Sequence, residues 1–137
     1  MIIIAGSPDV NVQKFIELIR ESSCEFKIKS FDEWQQSKET PQGFIYIKVL
    51  PEISFKRLNK INPLVTLEMI QQTAQDLDNY FVHKTTMPHE YHTLQVLVLN
   101  GFVDFETDLS QFYNHLFYIK KIFGNYVPPK KHSCCGH

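Results

Sequence analysis

The chain has 137 residues, 43% of them apolar, which suits one compact domain with a single core rather than two. Fourteen basic side chains stand against 15 acidic ones, for a net charge of −1, so no charge excess favours a nucleic-acid or membrane-surface partner. No apolar run approaches the roughly 20 residues of a membrane helix.

The opening "MIII" is too short for a signal-peptide core and has no basic stretch before it. The expected compartment is the cytosol, and Met1, directly ahead of the first strand, is expected to be a true start. Cys24, Cys134 and Cys135 form an odd set with two adjacent members, which does not read as a disulfide framework.

In chain order, Ile2–Ala5 is uniformly apolar and β-branched, the pattern of a short buried strand. Gly6–Asp9 is a turn-forming cluster. Asn11 can cap a helix whose apolar face is Val12, Phe15, Ile16 and Ile19, a spacing of three and four. Phe26–Ser30 alternates and suits a more exposed, edge-type strand. "DEWQQSKETPQG" is polar, contains Pro41 and Gly43, and reads as a connection. "FIYIKVL" is the strongest strand. Pro51 then opens a helix with Phe55 and Leu58 toward the core.

Asn62 and Pro63 restart the helix, and Leu67, Ile70, Ala74, Leu77 and Phe81 give it a long apolar face. "HKTTMPHEYHT" reads as a loop and "LQVLVLNG" as a second clear strand. Asp108 can cap a final helix carrying Leu109, Phe112, Leu116, Ile119 and Phe123, which Gly124 stops. Residues 1–124 are thus expected to form the domain, and 125–137 a flexible tail.

The order β-α-β-β-α-α-β-α predicts an α/β fold, a parallel sheet of about four strands with helices on both faces. Ligands of such sheets sit beyond the carboxyl ends of the strands. Those ends are Gly6–Asn11 and the loops after Ser30, Leu50 and Leu99.

Two stretches resemble the deoxynucleoside kinase family. In "GFIYIKVLPEISFKRLNKINPLVTLEMI" the strand is followed by Pro51-Glu52 and Arg57-Leu58, and Pro63–Ile70 keeps a Pro-Leu-x-x-Leu-Glu-x-Ile frame. "VLVLNGFVDFETD" is similar to the family's last strand and its base-clamping loop, with Asp104-Phe105 at the recurring "DF". The opening matches a strand, a "GNIxxGKST" loop and a helix, and Trp34 keeps the place of the family's tryptophan. The resemblance runs from Ile2 to about Phe123 and implies a three-layer, P-loop NTPase-like fold. It also implies ATP and Mg²⁺ as cofactors and phosphorylation of a deoxynucleoside at its 5′-hydroxyl. Its nucleotide-binding positions fall on Gly6, Ser7, Asn11, Val12, Gln13, Arg57, Asp104 and Phe105.

The departures bear on activity. A P-loop needs its lysine on the β- and γ-phosphates and its Ser or Thr on Mg²⁺. Here the family's second glycine, lysine and serine fall on Asn11, Val12 and Gln13. Lys14 is two residues late, about 200° around the helix. The family's base glutamate falls on Lys29, a charged ammonium with no site to accept a proton.

The lid's further arginines fall where Ile61 and Asn62 meet Pro63, and a middle section with one strand is absent between Trp34 and Gly43. Phosphoryl transfer is mostly positioning and electrostatic stabilisation, and each lost donor costs roughly 100- to 1,000-fold. The chain is therefore expected to be a pseudoenzyme without catalytic residues, a nucleotide- or nucleoside-binding or regulatory homologue. The alternative is a protein-interaction module with no small-molecule site, working through an exposed helix or sheet edge, as a homo-oligomer or with another protein. A third possibility is unrelated chemistry on a similar fold.

Other clusters carry weaker chemistry. Asp32 and Glu33 are adjacent and point apart, which suits a surface turn better than a catalytic pair. "HEYH" places His89 and His92 three apart, not four apart on a helix as a zinc motif requires. His132, Cys134, Cys135 and His137 are zinc-type ligands, but adjacent cysteines fit one tetrahedral ion poorly. No metal site is expected.

Overall fold

The computed structural model describes residues 1–22, 27–37 and 39–100. The elements are β1 (Ile2–Gly6), α1 (Val12–Ser22), β2 (Ile28–Ser30), α2 (Phe31–Ser37), β3 (Gly43–Lys48), α3 (Pro51–Ile61), α4 (Leu67–Phe81), a 3₁₀ turn at His89–Tyr91 and β4 (Gln95–Asn100). Cys24, the expected final helix from Asp108, Asp104-Phe105 and the tail cluster from His132 to His137 lie outside the described residues. Among the described residues no helix is long and apolar enough to cross a membrane.

The strands form one all-parallel sheet in the order β2-β1-β3-β4, an α/β arrangement as expected. The pairings Ile2↔Ile28, Ile2↔Gly43 and Gly43↔Gln95 start the strands level. The turns that follow β1, β2 and β3 therefore emerge at one end of the sheet.

Side chains alternate across the pleat. Ile2, Ile4, Ile45, Ile47 and Leu99 pack with Phe15, Ile16 and Ile19 of α1, and Ile53 of α3 lies against them. Ile3, Ala5, Phe44 and Tyr46 pack with Trp34 of α2 and Phe81 of α4. Helices thus contribute to both clusters, which explains why β1 is apolar at every position rather than at every second one.

The second cluster is aromatic. Trp34 meets Phe44 edge-on at 5.6 Å, Phe44 meets Phe81 at 5.7 Å, and Tyr46 stacks on Phe81 at 5.3 Å. Offset and edge-to-face pairs of this kind add about 0.5–1.5 kcal/mol each beyond their buried area.

Most expected elements form where their periodicity places them. Phe15, Ile16 and Ile19 are buried, as are Ile70, Ala74 and Phe81, while Val12 and Leu77 are half-buried. Asn11 Oδ1 accepts the Lys14 N–H at 3.3 Å, as a cap should.

Three readings are corrected. The polar stretch after Ser30 is not all connection, because Phe31–Ser37 is α2. Ser30 Oγ accepts the Glu33 N–H at 3.2 Å, so Ser-x-x-Glu here is an N-terminal cap. The i, i+3 pair Phe31 and Trp34 then faces the aromatic cluster. The buried face of α3 centres on Ser54 rather than on Phe55 and Leu58, which are half-buried. Finally, α4 does not restart at Pro63. It begins at Leu67, where Thr66 Oγ1 accepts the Met69 N–H at 3.2 Å.

Phe44 is fully buried at the centre of the aromatic cluster. Phe44→Ala is expected to cost about 3–5 kcal/mol in urea denaturation. Met69→Ala, at a 55% exposed position, should stay within about 0.5 kcal/mol.

Burial raises the Tyr80 phenol from 10.0 to about 12, with Tyr91 adding to the effect. Burial, with the Asp78 charge, also drives the Tyr46 phenol upward. The unfolded chain therefore ionises first. The stability carried by these neutral phenols is intact below about pH 10 and falls as pH rises through the folded values. Tyrosinate absorbance followed together with circular dichroism across that range should show Tyr80→Phe delaying the loss.

Candidate functional site

The turn after β1 runs from Ser7 to Asn11 and spends its polar groups on the chain itself. The Ser7 N–H donates to the Ile47 carbonyl at 2.9 Å, Val10 N–H to Ser7 at 2.9 Å, and Val12 N–H to Val10 at 3.0 Å. Ser7 Oγ accepts the Val49 N–H at 2.8 Å and donates to the Val49 carbonyl at 3.3 Å, which ties the turn to the end of β3. Gly6 sits beneath Val10, and a Cβ built on it would lie 2.8 Å from the Val10 Cβ and 3.1 Å from Val12 Cγ2. The space directly over Gly6 is taken by the Val10 and Val12 side chains.

Six of the eight expected nucleotide-binding positions come together, and the other two, Asp104 and Phe105, lie outside the described residues. Gly6, Ser7, Asn11, Val12 and Gln13 form this turn and the first turn of α1, and Arg57 reaches it from α3. Each has a local partner. Val12 packs against the first core cluster. Gln13 Nε2 donates to Glu33 Oε1 at 3.0 Å. Arg57 Nη1 pairs with Asp9 Oδ2 at 2.5 Å, and Ser54 Oγ donates to Asp9 Oδ1.

The Asp9 side chain is only 2% exposed, and a carboxylate that dry needs such donors. Asp9, whose charge in the turn is expected to oppose an anion, and Ser54, which no sequence motif marked, carry the closure. The available signal was Ser54, a hydroxyl three residues before Arg57 on the same side of α3.

Elsewhere, Lys29 pairs with Glu39 at 2.8 Å, and that bond holds the Glu39 carboxyl below its usual range. Tyr46 O–H donates to Asp78 at 3.3 Å, and Lys48 Nζ reaches the other oxygen of Asp78 at 3.0 Å. His92 Nε2 lies 2.8 Å from the Met87 carbonyl, and its ring is 4.9 Å from that of His89. Among the described residues no group of three His, Cys, Asp or Glu converges as metal ligands would.

A cavity of about 280 Å³ borders the same turn. Its walls include Gly6 and Pro8 from the turn, Phe31 and Asp32 from α2, and Thr73 and Leu77 from α4. Two of the four expected loop positions, after β1 and after β2, therefore border one space. It is mostly apolar, and Ser30, Asp32 and Thr73 are the residues with polar side chains that border it. Ser30 is committed to capping α2, and Thr73 Oγ1 donates to the Met69 carbonyl at 3.1 Å. Asp32, exposed at the first turn of α2, has no such bond among the described residues.

No protein-family profile, curated protein or solved structure matches the chain.

The contact of Gly6 with Val10 yields a direct test. Gly6→Ala should destabilise the chain by about 1–3 kcal/mol in denaturant titration, because the added methyl meets a branched carbon rather than open space. Gly6→Ala combined with Val10→Gly should recover part of that loss.

Proposed function

We propose that the chain is a catalytically silent relative of the deoxynucleoside kinases that binds a nucleoside without phosphorylating it. On this reading the fold is the family's three-layer, P-loop NTPase-like arrangement with one strand missing. The direct pairing of β1 with both β2 and β3 suits a sheet closed over that gap. The supporting observation is the filled turn. Its Ser7, Val10 and Val12 amides bond to the chain, Val10 lies over Gly6, and the carboxylate of Asp9 is held by Ser54 and Arg57 of α3.

The cavity beside the turn favours a small, largely uncharged ligand. At about 280 Å³ it lies just below the roughly 300–1,000 Å³ typical of ligand pockets. That suits one nucleoside, with Asp32 as acceptor for a base or sugar donor. A nucleoside triphosphate would exceed it and meet the carboxylate. ATP and Mg²⁺, which the resemblance implies as cofactors, have no role in this reading.

A second reading, a protein-interaction module, draws on the corner between α3 and α4. Ile61 and Leu64 are each 82% exposed and Met69 is 55% exposed. The β2 edge of the sheet is a poorer surface for it, since Arg20 of α1 donates to the Ile28 carbonyl at 3.1 Å.

Thermal denaturation with deoxynucleosides, dNTPs and ATP at millimolar concentration separates the readings. The first expects a concentration-dependent rise with one or more nucleosides, reduced in Asp32→Ala, and no label transferred from ATP. No shift with any nucleoside would sink it, and a dimer in light scattering would then favour the module. Transfer of label to a deoxynucleoside would overturn the claim of silence.

A further inference from the structure

His89 and His92 lie in the 3₁₀ turn that leads into β4. β4 starts level with the start of β3, and β3 with that of β1, whereas the cavity borders the turn at the far end of β1. An α-helix sets residues three apart about 60° out of line around its axis. A 3₁₀ helix has three residues per turn, so side chains three apart eclipse. The turn here is of that kind: the Tyr91 N–H donates to the Pro88 carbonyl at 3.0 Å, and the His92 N–H to the His89 carbonyl at 3.1 Å. Spacing of three thus does on this turn what spacing of four does on an α-helix.

The two rings stand 4.9 Å apart between centres and are tilted by 59°. Imidazoles sharing one ion at metal–nitrogen lengths of about 2.0–2.1 Å have ring centres about 5 Å apart, for coordination angles between a right angle and the tetrahedral value. The separation here is already that of a shared ion. His92 Nε2 lies 2.8 Å from the Met87 carbonyl oxygen, which can only accept. In the neutral ring Nε2 therefore carries the proton, and Nδ1 keeps its lone pair. A ring N–H donated to a backbone carbonyl is the outer bond that orients metal-binding histidines. Lys84 Nζ also donates to the His92 carbonyl at 3.0 Å, so both the ring and the backbone of His92 are held. His89 is exposed, with room to turn a ring nitrogen to the same point.

We propose that His89 and His92 form a two-histidine site for one divalent transition ion of the class imidazole binds, such as Cu²⁺ or Zn²⁺, with water completing its coordination. Among the described residues no third His, Cys, Asp or Glu joins the pair, so the site is open and exchangeable rather than closed and structural. An ion held there bridges the two ends of the 3₁₀ turn and braces the connection from α4 to β4. The site uses no part of the cavity and stands or falls independently of the nucleoside reading.

Trp34 supplies a local readout. It is the chain's only tryptophan, and its ring meets that of Tyr91, which lies between the two histidines in sequence, at 5.6 Å. Paramagnetic Cu²⁺ quenches the emission of a nearby indole. The full chain is titrated with Cu²⁺ in a Cys134→Ser, Cys135→Ser background, which removes copper-driven oxidation of that thiol pair. Trp34 emission should fall and saturate as one ion binds. His89→Gln and His92→Gln should each weaken binding by at least about tenfold. Replacing His132 and His137 by Gln should leave the curve unchanged.

Undiminished binding in His89→Gln, a change at an exposed position, would overturn the proposal. Quenching that never saturates would do the same, since it marks a plain contact between two rings. Loss of the response on replacing His132 and His137 would assign the copper to the tail and also refute the site. If His92→Gln does not fold, His89→Gln decides alone.

Discussion

β1 is hydrogen-bonded on both edges, to β2 and to β3, and covered on both faces by side chains from helices. A strand so enclosed admits no polar side chain, and Ile2–Ala5 has none. The level start of its pairings brings the ends of β1, β2 and β3 together. The turn after β1, the start of α2 and the start of α3 then have no choice but to meet. The proposed nucleoside site lies in that meeting, because a sheet buried on both faces can present a ligand site only at its ends.

What fills that space decides the chemistry. A phosphate loop depends on amides that face outward and on a glycine that leaves room. Here several amides bond inward, and Val10 lies over Gly6. Asp9 adds a charge of the wrong sign for a phosphate and gives it to Arg57. A buried pair of this kind contributes little net stability against its desolvation. The pair commits the turn to one conformation and divides the region, with the charged network toward α3 and the apolar cavity toward α2 and α4.

The regular elements were legible because burial leaves a period in the residues. Phe15, Ile16 and Ile19 in α1, and Ile70, Ala74 and Phe81 in α4, are apolar at helical spacing and buried in the structure. α2 was obscured because only Phe31 and Trp34 of its seven residues face the aromatic cluster, too few to establish a period. Its signal was the cap at Ser30, a local cue rather than a periodic one. The site was legible in part. Gly6, Ser7, Asn11, Val12, Gln13 and Arg57 do gather, whereas Asp9 and Ser54 matter through contacts 45 residues apart, which no local pattern records.

The amino-acid order by itself determined the strands, the main helices and their parallel arrangement, since each follows from which side chains must leave water. That Val12, Gln13 and Lys29 stand where a kinase needs lysine, serine and glutamate rests on the resemblance alone. Only the tertiary structure decided what the turn after β1 contains. Whether a glycine-bearing turn cradles an anion or closes on its own valine and aspartate depends on what the neighbouring helix offers, and that helix arrives from the far side of β3.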